Sequence, residues 1–232
     1  GGMTWTQNNV FTTNYDVTSI CFIDSQTGVI GREGGVVLKT TDGGTTWATV
    51  NNAHSRKISK IICLNDSTLF EIGDGGSMCK STDRGDTWTL ISSFEWHNTY
   101  EGIEFPSPTT GFTAGKNGFY KSTDAGLTWT RTAVITTPYT SNDFVDLSFV
   151  NTNLGYELSK YGFAKTTDGG TTWTSGNFGT TSIASAIHFT SADTGFVAAG
   201  YCDDYNPLAQ KIFKTTDGGL TWNNTIGAQP GE

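Results

Sequence analysis

Charge is scarce in this 232-residue chain. Only 16% of its residues are Asp, Glu, Lys or Arg, and the net charge is −8. A sparse, acidic surface repels phosphate, so nucleic acid is not an expected partner. Long apolar runs are missing too. None approaches the roughly 20 residues that span a bilayer, so membrane insertion is not expected. No leader peptide is legible in the opening GGMTWT. Cysteine is limited to Cys21, Cys63, Cys79 and Cys202, with no CxxC pair and no zinc spacing. These are expected as buried or half-buried thiols acting as small hydrophobes, with one disulfide open and its pairing unassigned. No metal and no cofactor is expected. Arginine is confined to Arg32, Arg56, Arg84 and Arg131.

Glycine, by contrast, is abundant, with 29 copies, and aromatics make up 12% of the chain. That mixture suits short strands joined by tight turns, and it argues against disorder. An internal repeat organises it. The segments Thr40–Trp47, Ser81–Trp88, Ser122–Trp129, Thr166–Trp173 and Thr215–Trp222 share the pattern Ser/Thr-x-Asp-x-Gly-x-Thr-Trp. Their aspartates, Asp42, Asp83, Asp124, Asp168 and Asp217, lie 41, 41, 44 and 49 residues apart. A period of about 40–50 residues is that of propeller blades.

Between these turns runs an alternating apolar-x-aromatic strand followed by a Gly-aromatic pair, as in Ile103, Phe105 and Gly111-Phe112. The second copy is degenerate, with Ile61, Cys63 and Leu69-Phe70. Each repeat therefore reads as four strands, A to D. A lone four-stranded sheet cannot bury both its apolar faces, and stacking blades around an axis does so. The expected fold is all-β: a single β-propeller domain over residues 1–232, with five four-stranded blades. The blades fall near 15–50, 57–92, 99–132, 143–176 and 182–226. Residues 1–8 read as the outer strand of a partial repeat, since Trp5 lies 42 residues before Trp47. A ring closed at five blades is expected, with a slice of a longer array as the alternative.

The repeated turn explains its own composition. Asp can accept backbone N–H groups in an Asx-type turn, and Gly two residues later can take a positive φ. The Ser or Thr hydroxyl can tie the turn to its neighbour, and Trp47, Trp88, Trp129, Trp173 and Trp222 offer apolar faces to adjacent repeats. Five copies around a ring cannot converge on one substrate, so the aspartates are expected to be structural.

At these residues the chain closely resembles the Asp-box (BNR) repeat found in sialidases, xyloglucanases, sortilin-type receptors and photosystem II stability/assembly factors. The pattern is most like the assembly-factor type, which bacteria also carry in secreted and surface proteins. The resemblance implies a secreted, cell-surface or periplasmic location. It also implies that the box is the strand C to strand D turn, away from the functional face.

The opposite face is then built from B–C turns and D-to-A connections, where the extra chain length lies. Its candidate ligand-binding residues are Arg32, Trp96, His97, Tyr100, Lys116, Tyr139, Tyr161, Tyr201, Asp203 and Asp204. Aromatic planes flanked by carboxylates suit sugars, and the same surface suits a protein. Asp203-Asp204 read as solvated acids rather than a calcium site. The residues between the apolar pair of strand A, namely Cys21, Ile62, Glu104, Ser148 and His188, are expected to line a channel. Glu104 and His188 are the one acid/base pair to weigh there, and a simply hydrogen-bonded histidine is the expectation. A sialidase-like enzyme would need three convergent arginines and an Arg-Ile-Pro motif, which this chain lacks. The expectation is a monomeric, non-catalytic binding or scaffold propeller for a protein or glycan. A glycosidase and a structural spacer are the alternatives.

Overall fold

A computed structural model describes residues 15–50, 52–93, 99–115, 118–133, 144–178, 183–200 and 211–225. They form five antiparallel four-stranded sheets, each with its strands in chain order. The first sheet is β1 (Val17–Phe22), β2 (Gly28–Arg32), β3 (Val37–Thr40) and β4 (Ala48–Val50). The second is β5 (Ile58–Cys63), β6 (Leu69–Gly73), β7 (Ser77–Ser81) and β8 (Thr89–Ser93). The third is β9 (Tyr100–Glu104), β10 (Gly111–Gly115), β11 (Gly118–Ser122) and β12 (Thr130–Ala133). The fourth is β13 (Phe144–Phe149), β14 (Gly155–Ser159), β15 (Gly162–Thr166) and β16 (Thr174–Gly176). The fifth is β17 (Ile183–Phe189), β18 (Gly195–Gly200), β19 (Lys211–Thr215) and β20 (Asn223–Asn224). No helix of the described residues is long and apolar enough to cross a membrane. The chain falls into two compact units, Gly1–Thr99 with two sheets and Tyr100–Glu232 with three. The partial repeat around Trp5 lies outside the described residues.

The five repeated turns share one hydrogen-bond scheme. In the first, the Thr40 hydroxyl donates to Asp42 Oδ1 at 2.8 Å and accepts from the Gly44 N–H at 2.9 Å. Asp42 also accepts from the Thr46 N–H at 2.9 Å and the Thr46 hydroxyl at 2.6 Å. The same four bonds recur around Asp83, Asp124, Asp168 and Asp217. The hydroxyl thus closes its own turn rather than reaching a neighbour. Each C–D turn instead docks on the A–B turn of its own blade through the residue after Asp. Gly43, Arg84, Ala125, Gly169 and Gly218 donate their N–H groups to Gln26, Ser67, Thr109, Asn153 and Asp193 carbonyls at 2.9–3.0 Å. The A–B turns are themselves Asx- or Ser-capped, as where Asp24 accepts from Gln26 and Thr27 and Asn151 from Asn153 and Leu154.

Aiming that N–H requires a left-handed backbone. Arg84 (φ 63°) and Ala125 (φ 58°) adopt it without being glycine. A left-handed conformation costs an L-residue roughly 1–2 kcal/mol, offset in part by the lower chain entropy of alanine. Ala125→Gly is therefore expected to stabilise the fold by about 0.5–1 kcal/mol in urea unfolding, and a loss of stability would contradict this account. Arg84→Gly should show no such gain, because the Arg84 guanidinium bonds the Asp66 carbonyl and the Asp24 carboxylate.

Lysine carries the link between neighbouring turns. Lys121 lies over the Phe112 ring, its cross-strand partner, and its ammonium reaches the Gly169 carbonyl of the next blade at 3.2 Å. Lys165 does the same over Tyr156 to Gly218 at 2.9 Å, and in the first unit Lys39 reaches Asp86 at 2.7 Å. Four of the tryptophans cover the aromatic that ends strand A of their own blade, as Trp47 lies edge-on to Phe22 and Trp129 to Phe105. Trp173 and Trp222 also reach the preceding blade, at Phe119 and Phe163.

Between blades, rings stack in parallel: Phe112 on Phe149 at 3.8 Å and Tyr156 on Phe189 at 3.5 Å. The Gly of the Gly-aromatic pair makes room for these rings. A Cβ on Gly155 would lie 2.4 Å from Phe149. In the second blade Cys63 replaces the ring, and Leu69 fills the space where the other blades keep glycine. The first blade differs from the rest at strand A: Ile20 is 55% exposed where Ile61 is 3% exposed.

Strand A is the edge of each sheet, and its N–H groups need partners from elsewhere. Within each unit the preceding blade supplies some of them. Ser19 Oγ accepts from Ile61 N, Asp146 from Ile187 N, Glu104 from Phe149 N and Ser148 from Phe189 N. At the equivalent place Cys21 bonds covalently to Cys63. Three of the positions expected to line a channel, Cys21, Glu104 and Ser148, therefore act here as fasteners between consecutive blades. The cysteine pairing, open at the level of sequence, is Cys21 to Cys63, and Cys79 is a buried free thiol.

Candidate functional site

The two ends of the blades differ in chemistry. At the C–D end, the five repeated aspartates are held near pKa 2. At Asp42, Asp124, Asp168 and Asp217 the largest cause is the hydroxyl of Thr46, Thr128, Thr172 or Thr221, followed by that residue's N–H. At Asp83 burial is the largest single influence and acts upward, but the Thr87 hydroxyl and N–H and the Ser81 hydroxyl overcome it. Folded values below the unfolded ones mean that the stabilisation is complete above about pH 4 and is lost as pH falls through about 2. A chain with Asp124→Asn should show a shallower loss of stability between pH 4 and pH 2 than the wild type. An unchanged acid profile would show that the carboxylate contributes nothing. These groups are ionised, individually engaged and held in separate turns, a poor arrangement for shared chemistry.

The B–C end of the blades is assembled differently. In the first two blades the turns are short 3-10 segments, Glu33–Gly35 and Asp74–Gly76. Asn52, from the connection after β4, donates to the Gly35 carbonyl at 3.1 Å and to Glu71 Oε2 at 3.2 Å. Glu71, in mid β6, is wholly buried and pairs across the sheet with Cys79 of β7, also wholly buried. His54 Nε2 lies 2.7 Å from Glu71 Oε1, and its Nδ1 accepts the Arg56 N–H at 3.1 Å. Burial, then the adjacent Glu71, pushes the Cys79 thiol pKa upward, so it stays protonated.

In the second unit, Glu157 of β14 occupies the place matching Glu71. It pairs with Ala164, and Ser159 donates to its Oε1 at 2.8 Å. Its Oε2 is buried without a partner among the described residues. Burial pushes its pKa up to about 7, against a smaller downward pull from Ser159. The turn that follows exposes Tyr161, at 40%.

The sequence-based candidates sort unevenly. Tyr161 lies at the surface of its turn. Arg32 is only 4% exposed, and its guanidinium donates to the Tyr15 carbonyl through Nε and Nη2, so it braces the entry to β1. Tyr100 is wholly buried in β9, edge-on to Tyr120. Arg32 and Tyr100 are thus interior residues, a correction to their reading as surface contacts. An end-of-strand position turned each inward where a loop position would not. Trp96, His97, Lys116, Tyr139, Tyr201, Asp203 and Asp204 lie outside the described residues. Glu104 is engaged by the Phe149 N–H, and His188 is exposed on β17. Sequence reasoning missed His54, Glu71, Cys79 and Glu157. The available signal was an acid in strand B, at a place where the first, third and fifth blades carry Ile30, Thr113 and Val197.

No protein-family profile matches the chain, and no curated protein sequence does. Solved structures do. A YCF48 structure bound to a D1 peptide is 16% identical over 95% of this chain and 87% of that one, with a TM-score of 0.64. YCF48 from Cyanidioschyzon merolae is 13% identical over 92% and 70%, with a TM-score of 0.70. An ancestral GH74 enzyme is 16% identical over 92% of this chain but 31% of its own length, with a TM-score of 0.74. At such identities the likeness concerns fold, and with the five sheets it establishes an all-β propeller of five four-stranded blades.

Proposed function

We propose that this chain is a non-catalytic binding propeller that takes a segment of a partner protein through the B–C end of its blades. The observation that carries this reading is the contrast between the two ends. At the C–D end each of the five repeated aspartates is consumed within its own turn. The B–C end has an exposed aromatic at Tyr161 and longer connections. The likeness to a YCF48 structure holding a peptide supports a peptide-like ligand. The repeated turn is read as an Asp box, and the Cys21–Cys63 bond supports a secreted, periplasmic or surface location, where disulfides persist.

A glycosidase is the second reading, favoured by one observation: Glu157 keeps a proton near neutral pH, as a general acid must. Its depth argues against reach to a substrate, since it is 4% exposed. The intact chain should bind members of an immobilised peptide array with saturation, and should release no sugar from glucan or sialoside substrates. Turnover that disappears in Glu157→Gln would replace the binding reading with the enzymatic one.

A further inference from the structure

We propose that His54, Glu71 and Cys79 form a binding site for one zinc-class divalent cation, fastening the connection after β4 onto the second blade. Their ligand atoms, an imidazole nitrogen, a carboxylate oxygen and a thiol sulfur, all lie within 4.8 Å of one another. All three belong to the first unit. Two of them are paired across β6 and β7, so the sheet itself fixes their spacing. The third comes from the connecting segment, held in place by Asn52 bonds to Gly35 and Glu71.

Two arguments favour a cation. The first is charge. As a carboxylate, Glu71 would be a wholly buried anion, and the groups seen to contact it are a histidine, an amide and a thiol. Those groups meet its oxygens without supplying a fixed positive charge, and a buried anion lacking one is costly. A divalent ion bound by carboxylate, thiolate and neutral imidazole makes a site of zero net charge. The second is ligand type. Mixed N, O and S donors suit zinc and its borderline neighbours, whereas magnesium and calcium prefer oxygen alone. Three protein ligands leave a fourth tetrahedral position for water. The fourth blade offers an internal contrast: Glu157 has Ala164 where Glu71 has Cys79, so that blade lacks the thiol.

Loading has a defined proton balance. The Cys79 S–H bond breaks, a metal–sulfur bond forms, and one proton leaves to solvent. His54 Nδ1 now accepts the Arg56 N–H, which puts the ring proton on Nε2. Coordination through Nε2 moves that proton to Nδ1, with no net release, and ends the Arg56 contact. The ion therefore exchanges one hydrogen bond of the 52–57 segment for a metal bond.

The test uses Co²⁺ as the probe, added to the intact, chelator-treated chain under non-reducing conditions. One equivalent should produce the near-ultraviolet sulfur-to-cobalt band and the visible bands of a tetrahedral ion, and Zn²⁺ should displace it. The heat of Zn²⁺ binding in buffers of different ionisation enthalpy should report one proton released. Cys79→Ser should abolish the sulfur band, and Glu71→Gln should weaken binding at least tenfold. Absence of the band in the wild type overturns the proposal, as does a band that survives in Cys79→Ser through Cys202. If Cys79→Ser fails to fold by circular dichroism, the wild-type band and proton count decide: a band with one proton released sustains the site, and a proton count of zero overturns it.

Discussion

Removing the Cys21–Cys63 bond, by reduction or in a Cys21→Ala, Cys63→Ala chain, is expected to destabilise the first two blades by about 4 kcal/mol. That figure follows from the chain-entropy cost of a cross-link closing 42 residues. The position of the bond gives the number its structural meaning. Elsewhere, the same junction between consecutive strands A is fastened by hydrogen bonds, from Phe149 N to Glu104 and from Phe189 N to Ser148. Each of those contributes about 1 kcal/mol, or somewhat more where the acceptor is charged. The covalent fastener is therefore the strongest of its class. It sits in the blade pair where Cys63 has replaced the stacking ring used in the third and fourth junctions. Urea unfolding with and without a reductant measures the difference, and limited proteolysis localises it. The first unit should become labile while the described strands of the second keep their protection. Equal midpoints in both conditions would show that the bond adds no stability.

The second large effect is a gain. Glu157→Gln is expected to raise stability at pH 8 by up to about 3 kcal/mol, and to remove a slope seen in the wild type. Burial raises the folded pKa from 4.5 to about 7. Between those values the unfolded chain has released the proton while the folded chain still holds it. Stability therefore falls as pH rises from about 4.5 to 7 and levels off above that. The substituted glutamine would keep an acceptor for the Ser159 hydroxyl and carry no charge. The measurement is the urea midpoint from pH 4 to pH 9. A wild-type profile that is flat, or a variant that retains the slope, would contradict the burial argument.

The legible and the hidden parts of this molecule follow a physical division. Local chemistry reads well from sequence. Asp42 and Gly44 announce a turn because the bonds that close it lie within a few residues, and five copies make the blades countable. Long-range chemistry reads poorly. Ser148 and Asp146 look unrelated to Cys21, yet all act on the edge of the following blade, with different atoms doing the same work. Lys121 looks like an ordinary surface residue until its ring partner and the Gly169 carbonyl are seen together. Residue type alone points Arg32 and Tyr100 toward the ligand face, and strand ends turn them inward. The Glu71–Cys79 pair needed the register of β6 against β7 before its meaning appeared, and His54 needed the path of the connection as well.

The central claim is that the repeated turns hold the fold while the opposite ends of the blades carry recognition. Hydrogen–deuterium exchange of the intact chain, with and without the tightest peptide from the array, tests it most directly. The account predicts added protection in B–C segments, either 52–57 and 74–77 of the first unit or 159–162 of the second, with exchange at Asp42, Asp83, Asp124, Asp168 and Asp217 unchanged. Protection centred on those five aspartate turns, with the B–C segments unaffected, would contradict it.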